Sequence, residues 1–156
     1  IGAEIDLSWE CLPRLVYFLS SGYSDSEYYH HLTKEYEGNK IVMAPEFTMN
    51  TGISYTQAIK SSLFKSFTAT TSVTGFGTQY FDEANTMKQD PYFLWNMDLG
   101  ISGKHIDFHV WGKNILDKNF FCYMFNSPVG NNLPEYMKSG QSGAPSRFGA
   151  SITIKL

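Results

Sequence analysis

The chain has 156 residues, of which 17% are charged and 16% aromatic, and it carries a formal charge of -3 with a pI near 5.8. It has no basic run or cluster of Lys and Arg, so it lacks the electrostatic footprint of a nucleic-acid partner, and no stretch approaches the roughly 20 apolar residues of a membrane-spanning helix. Mean hydropathy is -0.25, which suits strands with one apolar and one polar face, because alternation cancels in an average.

Period-two alternation is the main signal along the chain. Ala3, Ile5, Leu7 and Trp9 alternate with Gly2, Glu4, Asp6, Ser8 and Glu10. Three carboxylates on one strand face require water on that side. A short turn at 11–14, holding Pro13, leads to a weakly alternating strand from 15 to about 28. Phe47, Met49, Thr51, Ile53 and Tyr55 mark the next strand, and 56–62 is a turn. A long Thr-rich strand runs from 64 to about 81, with Lys65, Phe67, Ala69, Thr71 and Val73 on one face. Phe93, Trp95, Met97, Leu99 and Ile101 then alternate with Leu94, Asn96, Asp98, Gly100 and Ser102. Gly103 and Lys104 form a two-residue turn into a strand of Ile106, Phe108 and Val110, alternating with His105, Asp107, His109 and Trp111. The last strand is the clearest: Phe148, Ala150, Ile152, Ile154 and Leu156 on one face, Arg147, Gly149, Ser151, Thr153 and Lys155 on the other. No segment has a helical period.

The connections alternate short and long. The long ones fall at 29–44, 82–91 and 114–144. Outer-membrane barrels have this asymmetry, with short periplasmic turns and longer external loops. The parity sends the final strand inward and leaves its end in the periplasm. The expected fold is therefore all-β: an antiparallel meander of about seven long strands, the C-terminal portion of a transmembrane β-barrel. An open seven-stranded sheet would leave unpaired backbone edges in lipid, at several kcal/mol per group. The chain also opens on Ile1 with no visible signal peptide. A segment of a longer barrel, with further strands upstream, is the expectation.

Several motifs resemble TonB-dependent outer-membrane receptors. The run Asn114-Ile115-Leu116-Asp117-Lys118-Asn119-Phe120 is similar to the segment of that family that closes the penultimate strand and opens the last external loop. Gly143-Ala144-Pro145-Ser146-Arg147-Phe148-Gly149 resembles the family's lead into the final strand, with Ser146 standing between Pro145 and Arg147. Tyr80-Phe81-Asp82-Glu83-Ala84-Asn85-Thr86 is similar to a recurrent rim segment, and Ala44-Pro45-Glu46-Phe47-Thr48 to strand starts after external loops. Arg147, Gly149, Ile152, Ile154 and Leu156 resemble the C-terminal signal offered to the barrel-insertion machinery; the family usually ends in Phe, this chain in Leu. The resemblance implies uptake of a scarce nutrient, such as a siderophore, cobalamin or a glycan, by an integral protein of the bacterial outer membrane. It also implies outer-membrane lipid as surroundings and coupling to the TonB complex through N-terminal parts, a plug and a TonB box, that this chain lacks.

Candidate site residues are few. His30 and His31 beside Tyr28 and Tyr29, and Asn131 and Asn132 in the longest loop, are the candidates for substrate contact. That loop also holds Pro128, Gly130, Pro134 and Gly140. His105, Asp107 and His109 share a face but are spaced nearly 7 Å apart along a strand, which reads as a polar row rather than a metal site. Glu4, Asp6 and Glu10 read as wetted carboxylates, not a catalytic pair. Trp9, Tyr17, Tyr55, Phe64, Trp95 and Trp111 suit interfacial aromatics. Cys11 and Cys122 should lie at opposite ends and stay unpaired. No catalytic motif, metal or cofactor is expected. Two other readings remain open: a small autonomous outer-membrane barrel, structural or adhesive, and a soluble lipocalin-like carrier with its apolar face inward.

Overall fold

The computed structural model describes residues 1–128 and 136–155. Its strands in chain order are β1 (Gly2–Leu12), β2 (Leu15–Ser24), β3 (Phe47–Ala58), β4 (Phe64–Phe76), β5 (Gln79–Tyr80), β6 (Lys88–Gln89), β7 (Tyr92–Gly103), β8 (Ile106–Lys113), β9 (Phe121–Pro128), β10 (Tyr136–Ser142) and β11 (Arg147–Ile154). Seven of them form one sheet in the order β1-β2-β3-β4-β7-β8-β11, antiparallel throughout. The sheet is an open meander with β1 and β11 at its edges. Two small two-stranded ribbons, β5-β6 and β9-β10, extend it at the end where the long connections lie.

The register joins the alternation of each strand into two continuous faces. Partners across β1 to β4 include Ile5 with Ser21, Leu7 with Leu19, Tyr17 with Ile53, Leu15 with Tyr55, and Ile53 with Thr71. The same face continues through Val73 with Trp95, Leu99 with Val110, and Val110 with Ala150. In regular register no charged residue falls on this face. Lys65 comes nearest, at the irregularity between Phe64 and Ser66. The opposite face carries Glu4, Asp6, Glu10, Asp98, Asp107, His109, Lys113 and Arg147, with a field of Ser, Thr and Asn between them.

Polar atoms on the apolar face are tied inward. Trp95 Nε1 donates to Thr71 Oγ1 at 2.6 Å, and Thr71 donates on to the Asn96 carbonyl at 3.3 Å. Thr51 Oγ1 donates to the Phe18 carbonyl at 3.0 Å. A hydrocarbon medium demands such internal satisfaction, because it offers no partners of its own. Aromatics gather on this face at two levels. Trp9, Tyr17 and Tyr55 stand toward the short turns, and Tyr23, Phe47 and Phe93 toward the long connections. From Phe47 to Tyr55 is about 26 Å along the strand at ~3.3 Å per residue, of the order of the roughly 25 Å apolar band of such barrels.

The seven-stranded sheet has no interior. The buried apolar side chains among the described residues are Phe81, Met87 and Tyr92, at 7%, 4% and 6% exposure, all at the long-connection end. A single layer with both faces open is stable only when one face meets an apolar phase.

Several boundaries differ from the sequence expectation. The second strand stops at Ser24 instead of running to about 28. Beyond it the chain pairs with itself: Tyr28 N donates to the Asn39 carbonyl, and Glu27 bridges Lys40. The Thr-rich strand stops at Phe76 because the chain breaks at Gly77, whose amide turns to the Phe47 carbonyl, and β5 then pairs with β6. β3 runs on to Ala58, so its turn starts later than expected. Gly103 ends β7, which moves the tight turn to Lys104 and His105 and takes His105 out of the expected row with Asp107 and His109. The longest connection contains the unforeseen hairpin of β9 and β10. Cys11 and Cys122 are both free and lie at opposite ends of the sheet, as expected.

Candidate ligand-binding rim

The three long connections meet at one end of the sheet. Loop 1 (25–46) and loop 2 (77–91) are joined side by side. Met43 N donates to the Tyr80 carbonyl at 2.8 Å and Glu46 N to the Thr78 carbonyl at 3.0 Å. Asn85 holds the join: its Oδ1 accepts from Lys40 N at 2.7 Å, and its Nδ2 donates to the Lys40 carbonyl at 3.0 Å. Asn85 can do this because it sits at φ 55, a left-handed conformation that Asn tolerates better than most residues. Asp82 shapes the same turn, accepting from Thr86 N, Thr86 Oγ1 and Met87 N. The segment Tyr80 to Thr86 is thus a turn and a cross-link between two loops.

Loop 3 (114–146) is closed at its base by the two segments flagged from sequence, which bind each other. Asn114 is 4% exposed, at φ 49. Its Nδ2 donates to the carbonyls of Lys118 and Ala144, both at 3.0 Å, and its Oδ1 accepts from Lys118 N at 2.9 Å. Asp117 Oδ1 accepts from Ser146 N at 2.7 Å, and Gly143 N donates to the Phe120 carbonyl at 2.8 Å. The Phe120 ring lies over Gly143 in the place a Cβ would need. Phe120 also stacks on Tyr92 at 4.4 Å, and Tyr92 on Phe76 at 5.2 Å. This column anchors loop 3 to β4 and β7.

Above the base, β9 presents Phe121, Tyr123 and Phe125 in a row, each close to two-fifths exposed. Tyr123 meets the ring of Phe81 edge-on at 6.3 Å, and Phe125 stacks beside it at 5.9 Å. Lys138 Nζ on β10 reaches the Thr86 carbonyl of loop 2 at 3.2 Å.

The histidines of loop 1 separate. His31 is tucked in, with a side chain 16% exposed. It contacts Tyr28 and Tyr36, accepts from Thr33 N at 3.0 Å through Nδ1, and lies 3.5 Å from Glu83 of loop 2. His30 points outward beside Tyr29, 3.6 Å from Glu37. His31 is therefore part of the scaffold, and His30 is the accessible one. Asn131 and Asn132 lie outside the described residues, as does Leu156. Asp107 forms an ion pair with Lys155 at 2.8 Å and His109 Nδ1 lies 3.1 Å from Asp98 Oδ1, so the polar row is used in cross-strand contacts. No cluster of metal-ligating side chains occurs among the described residues. In β11, Arg147 and Gly149 share the polar face, Ile152 and Ile154 the apolar one, and the Trp111 ring covers Gly149.

Loop 1 is also pinned by charge. Lys40 Nζ binds Asp25 and, at 2.9 Å, Glu27. The hydrogen bond from Lys40 holds the Asp25 carboxyl below its usual range, and these two carboxylates raise the Lys40 ammonium. A depressed carboxyl stabilises the fold above its unfolded-state pKa and loses that contribution as pH falls through the folded value. Loop 1 should therefore loosen as pH drops below the ordinary Asp value of about 3.9. Amide exchange over 25–46, corrected for intrinsic rates, is expected to rise there, and Lys40→Met should reduce the pH response, leaving the part carried by Glu37, whose carboxyl is held low by Lys34. An unchanged response in that variant would show that the pair does not hold the loop.

Residues 2–115 match the family described as "TonB dependent receptor-like, beta-barrel". The fold of nearly the whole chain recurs in solved structures. The ferric yersiniabactin uptake receptor from Yersinia pestis aligns over 98% of this chain at 18% identity with a TM-score of 0.80. The ferric preacinetobactin receptor from Acinetobacter baumannii aligns over 97% at 16% identity with a TM-score of 0.74. A siderophore receptor from the same organism aligns over 97% at 16% identity with a TM-score of 0.65. The chain spans 23%, 21% and 20% of the lengths of those three proteins.

Proposed function

Since the chain belongs to the TonB-dependent receptor β-barrel family, we propose that it forms part of the wall and rim of a receptor that takes up a scarce nutrient, in the first instance a ferric siderophore. The chain is an outer-membrane β-barrel component, with its apolar face in lipid and its polar face toward the lumen. On this reading the remaining strands and a plug belong to the same receptor and close the sheet, which otherwise leaves the edges of β1 and β11 unpaired in hydrocarbon. Energy comes from the TonB complex acting on the plug.

The observation that carries the reading is the rim. Loop 2 is bound to loop 1 on one side and to loop 3 on the other at one end of the sheet; loop 3 presents an aromatic row, Phe121, Tyr123 and Phe125, and loop 1 an exposed His30. Aromatic faces and polar tips suit the flat, mixed surface of a metal chelate. Asn131 and Asn132 belong to the same loop and are proposed contacts. Arg147, Gly149, Ile152, Ile154 and Leu156 are proposed to serve the barrel-insertion machinery.

The test is uptake of radiolabelled iron by cells producing the full-length protein. Ferric catecholate, hydroxamate and phenolate siderophores would be supplied with and without a functional TonB complex. Uptake of one class that disappears without TonB, and falls when 121–141 is deleted, supports the reading. Uptake of none of them, with cobalamin or a glycan taken up instead, would replace the siderophore by that nutrient. TonB-independent passage would remove the receptor reading.

A further inference from the structure

The apolar face is not uniform. Between the ridge of Leu15, Tyr17 and Tyr55 and the ridge of Trp95, Met97 and Leu99 it sinks into a trough beside Ile53 and over β4, where Ala69, Thr71 and Val73 are smaller than the ridge side chains. Ala69 and Thr71 form its floor. One part has a volume of about 160 Å3 and the next about 340 Å3, and they adjoin at Ile53 and Thr71, which stand in the walls of both. From Ala69 to Val73 it covers four residues, about 13 Å along the strand. That is roughly half of the ~30 Å hydrocarbon thickness, the depth of a single leaflet.

Its lower end opens toward the short turns and has a polar lip. Tyr55 lines the trough, and its hydroxyl donates to Gln57 Oε1 at 2.9 Å. Arg14 Nη1 donates to the same Gln57 oxygen at 2.6 Å. Arg14 is held there by its own turn: its φ is 70 and its amide donates to Glu10 at 2.8 Å. A guanidinium has more donors than this one bond uses. The short-turn end is also basic, although the chain as a whole carries -3. Lys60, Lys65, Lys104 and Lys155 stand there with Arg14, against Glu10 and Asp107.

We propose that this trough and lip form a binding site for one anionic phospholipid of the periplasmic leaflet. Its acyl chain lies over Ala69 and Thr71, and its phosphate is held by Arg14 with the Tyr55 and Gln57 side chains beside it. A fork of N–H donors matches phosphate geometry, and an anionic headgroup complements the basic turn end. The inference rests on the assignment of the apolar face to lipid and of the short turns to the periplasm. It is independent of which nutrient the rim takes.

The experiment uses the full-length receptor extracted from outer membranes, with heat-modifiable gel mobility as the check that the barrel is folded and inserted. Native mass spectrometry would count phospholipid retained through detergent exchange, with phosphatidylglycerol or phosphatidylcholine then added back. One retained phosphatidylglycerol per receptor is expected, displaced little by phosphatidylcholine. Arg14→Gln should lower retention about tenfold, and Arg14→Lys less, as for loss of one charge-assisted contact. Ala69→Leu, which fills the floor, should lower it comparably while leaving siderophore uptake unchanged. Retention of lipopolysaccharide instead, a receptor dimer in place of lipid, or folded variants that keep the full wild-type load would each overturn the proposal. A receptor absent from the outer membrane would overturn the membrane assignment itself.

Discussion

Val110→Arg is expected to destabilise the membrane-inserted receptor by about 2–4 kcal/mol, the cost of a cation at mid-depth on the lipid face of a barrel. Val110 sits near the middle of β8, paired with Leu99 on one side and Ala150 on the other, and it is 43% exposed. In water that exposure would make the change mild. In lipid the guanidinium must snorkel about half the hydrocarbon thickness or drag water inward. The control is Thr70→Arg at similar depth on the opposite face, where Thr70 pairs with Ser54 and Asp98. There the new cation meets water and a carboxylate, and the change should stay within about 1 kcal/mol. Urea titration of the full-length receptor in liposomes, followed by gel mobility, measures both. Equal effects would refute the assignment of faces; the reverse order would favour an apolar-lined interior.

Asn114→Ala is expected to release loop 3, at a local cost of about 3 kcal/mol. The substitution leaves the Lys118 amide and the carbonyls of Lys118 and Ala144 without their partner in a site that is 4% exposed. Each buried orphan costs roughly 1–3 kcal/mol, less where water can enter. Ala also pays roughly 1 kcal/mol for the left-handed backbone. Limited proteolysis should then cut within 114–144 at a rate roughly a hundredfold higher, in proportion to the open population. Asn114→Gly separates the two parts: it keeps the backbone conformation and loses only the bonds, so it should fall between wild type and Ala. Protection of loop 3 in Asn114→Ala equal to wild type would show that Asp117, Phe120 and Gly143 suffice as the clasp. The barrel itself should keep its gel mobility, because Asn114 lies beyond the end of β8.

Legibility followed physics in each segment. β7 and β11 were readable nearly to the residue, because each places bulky apolar and polar side chains strictly in turn. β2 was not: Val16, Tyr17, Phe18 and Leu19 give an apolar run without period, and its end at Ser24 is set by the way 26–28 folds back on 38–41. The β9 strand did carry a signal, Phe121, Tyr123 and Phe125 alternating with Cys122 and Met124, but β10 opens on Tyr136 and Met137 and continues only with Lys, Ser, Gly and Gln. A hairpin whose second strand does not alternate apolar with polar is invisible to periodicity.

Composition and alternation alone determined the all-β class, the seven-strand meander, the polarity of the faces of the strongly alternating strands and the short-long rhythm of its connections. These depend on near neighbours in the chain, and a period of two is legible there. Only the tertiary structure decided what the motifs are for. Asn114 and Ala144, Asn85 and Lys40, and Arg14 and Gln57 are 30, 45 and 43 residues apart. Their hydrogen bonds exist because the sheet register brings the long loops to one end and the turns to the other. The same register sets Ala69, Thr71 and Val73 of β4 between two ridges of larger side chains, which leaves a trough. A strand read by itself shows which way each side chain points; only its pairing shows what stands beside it.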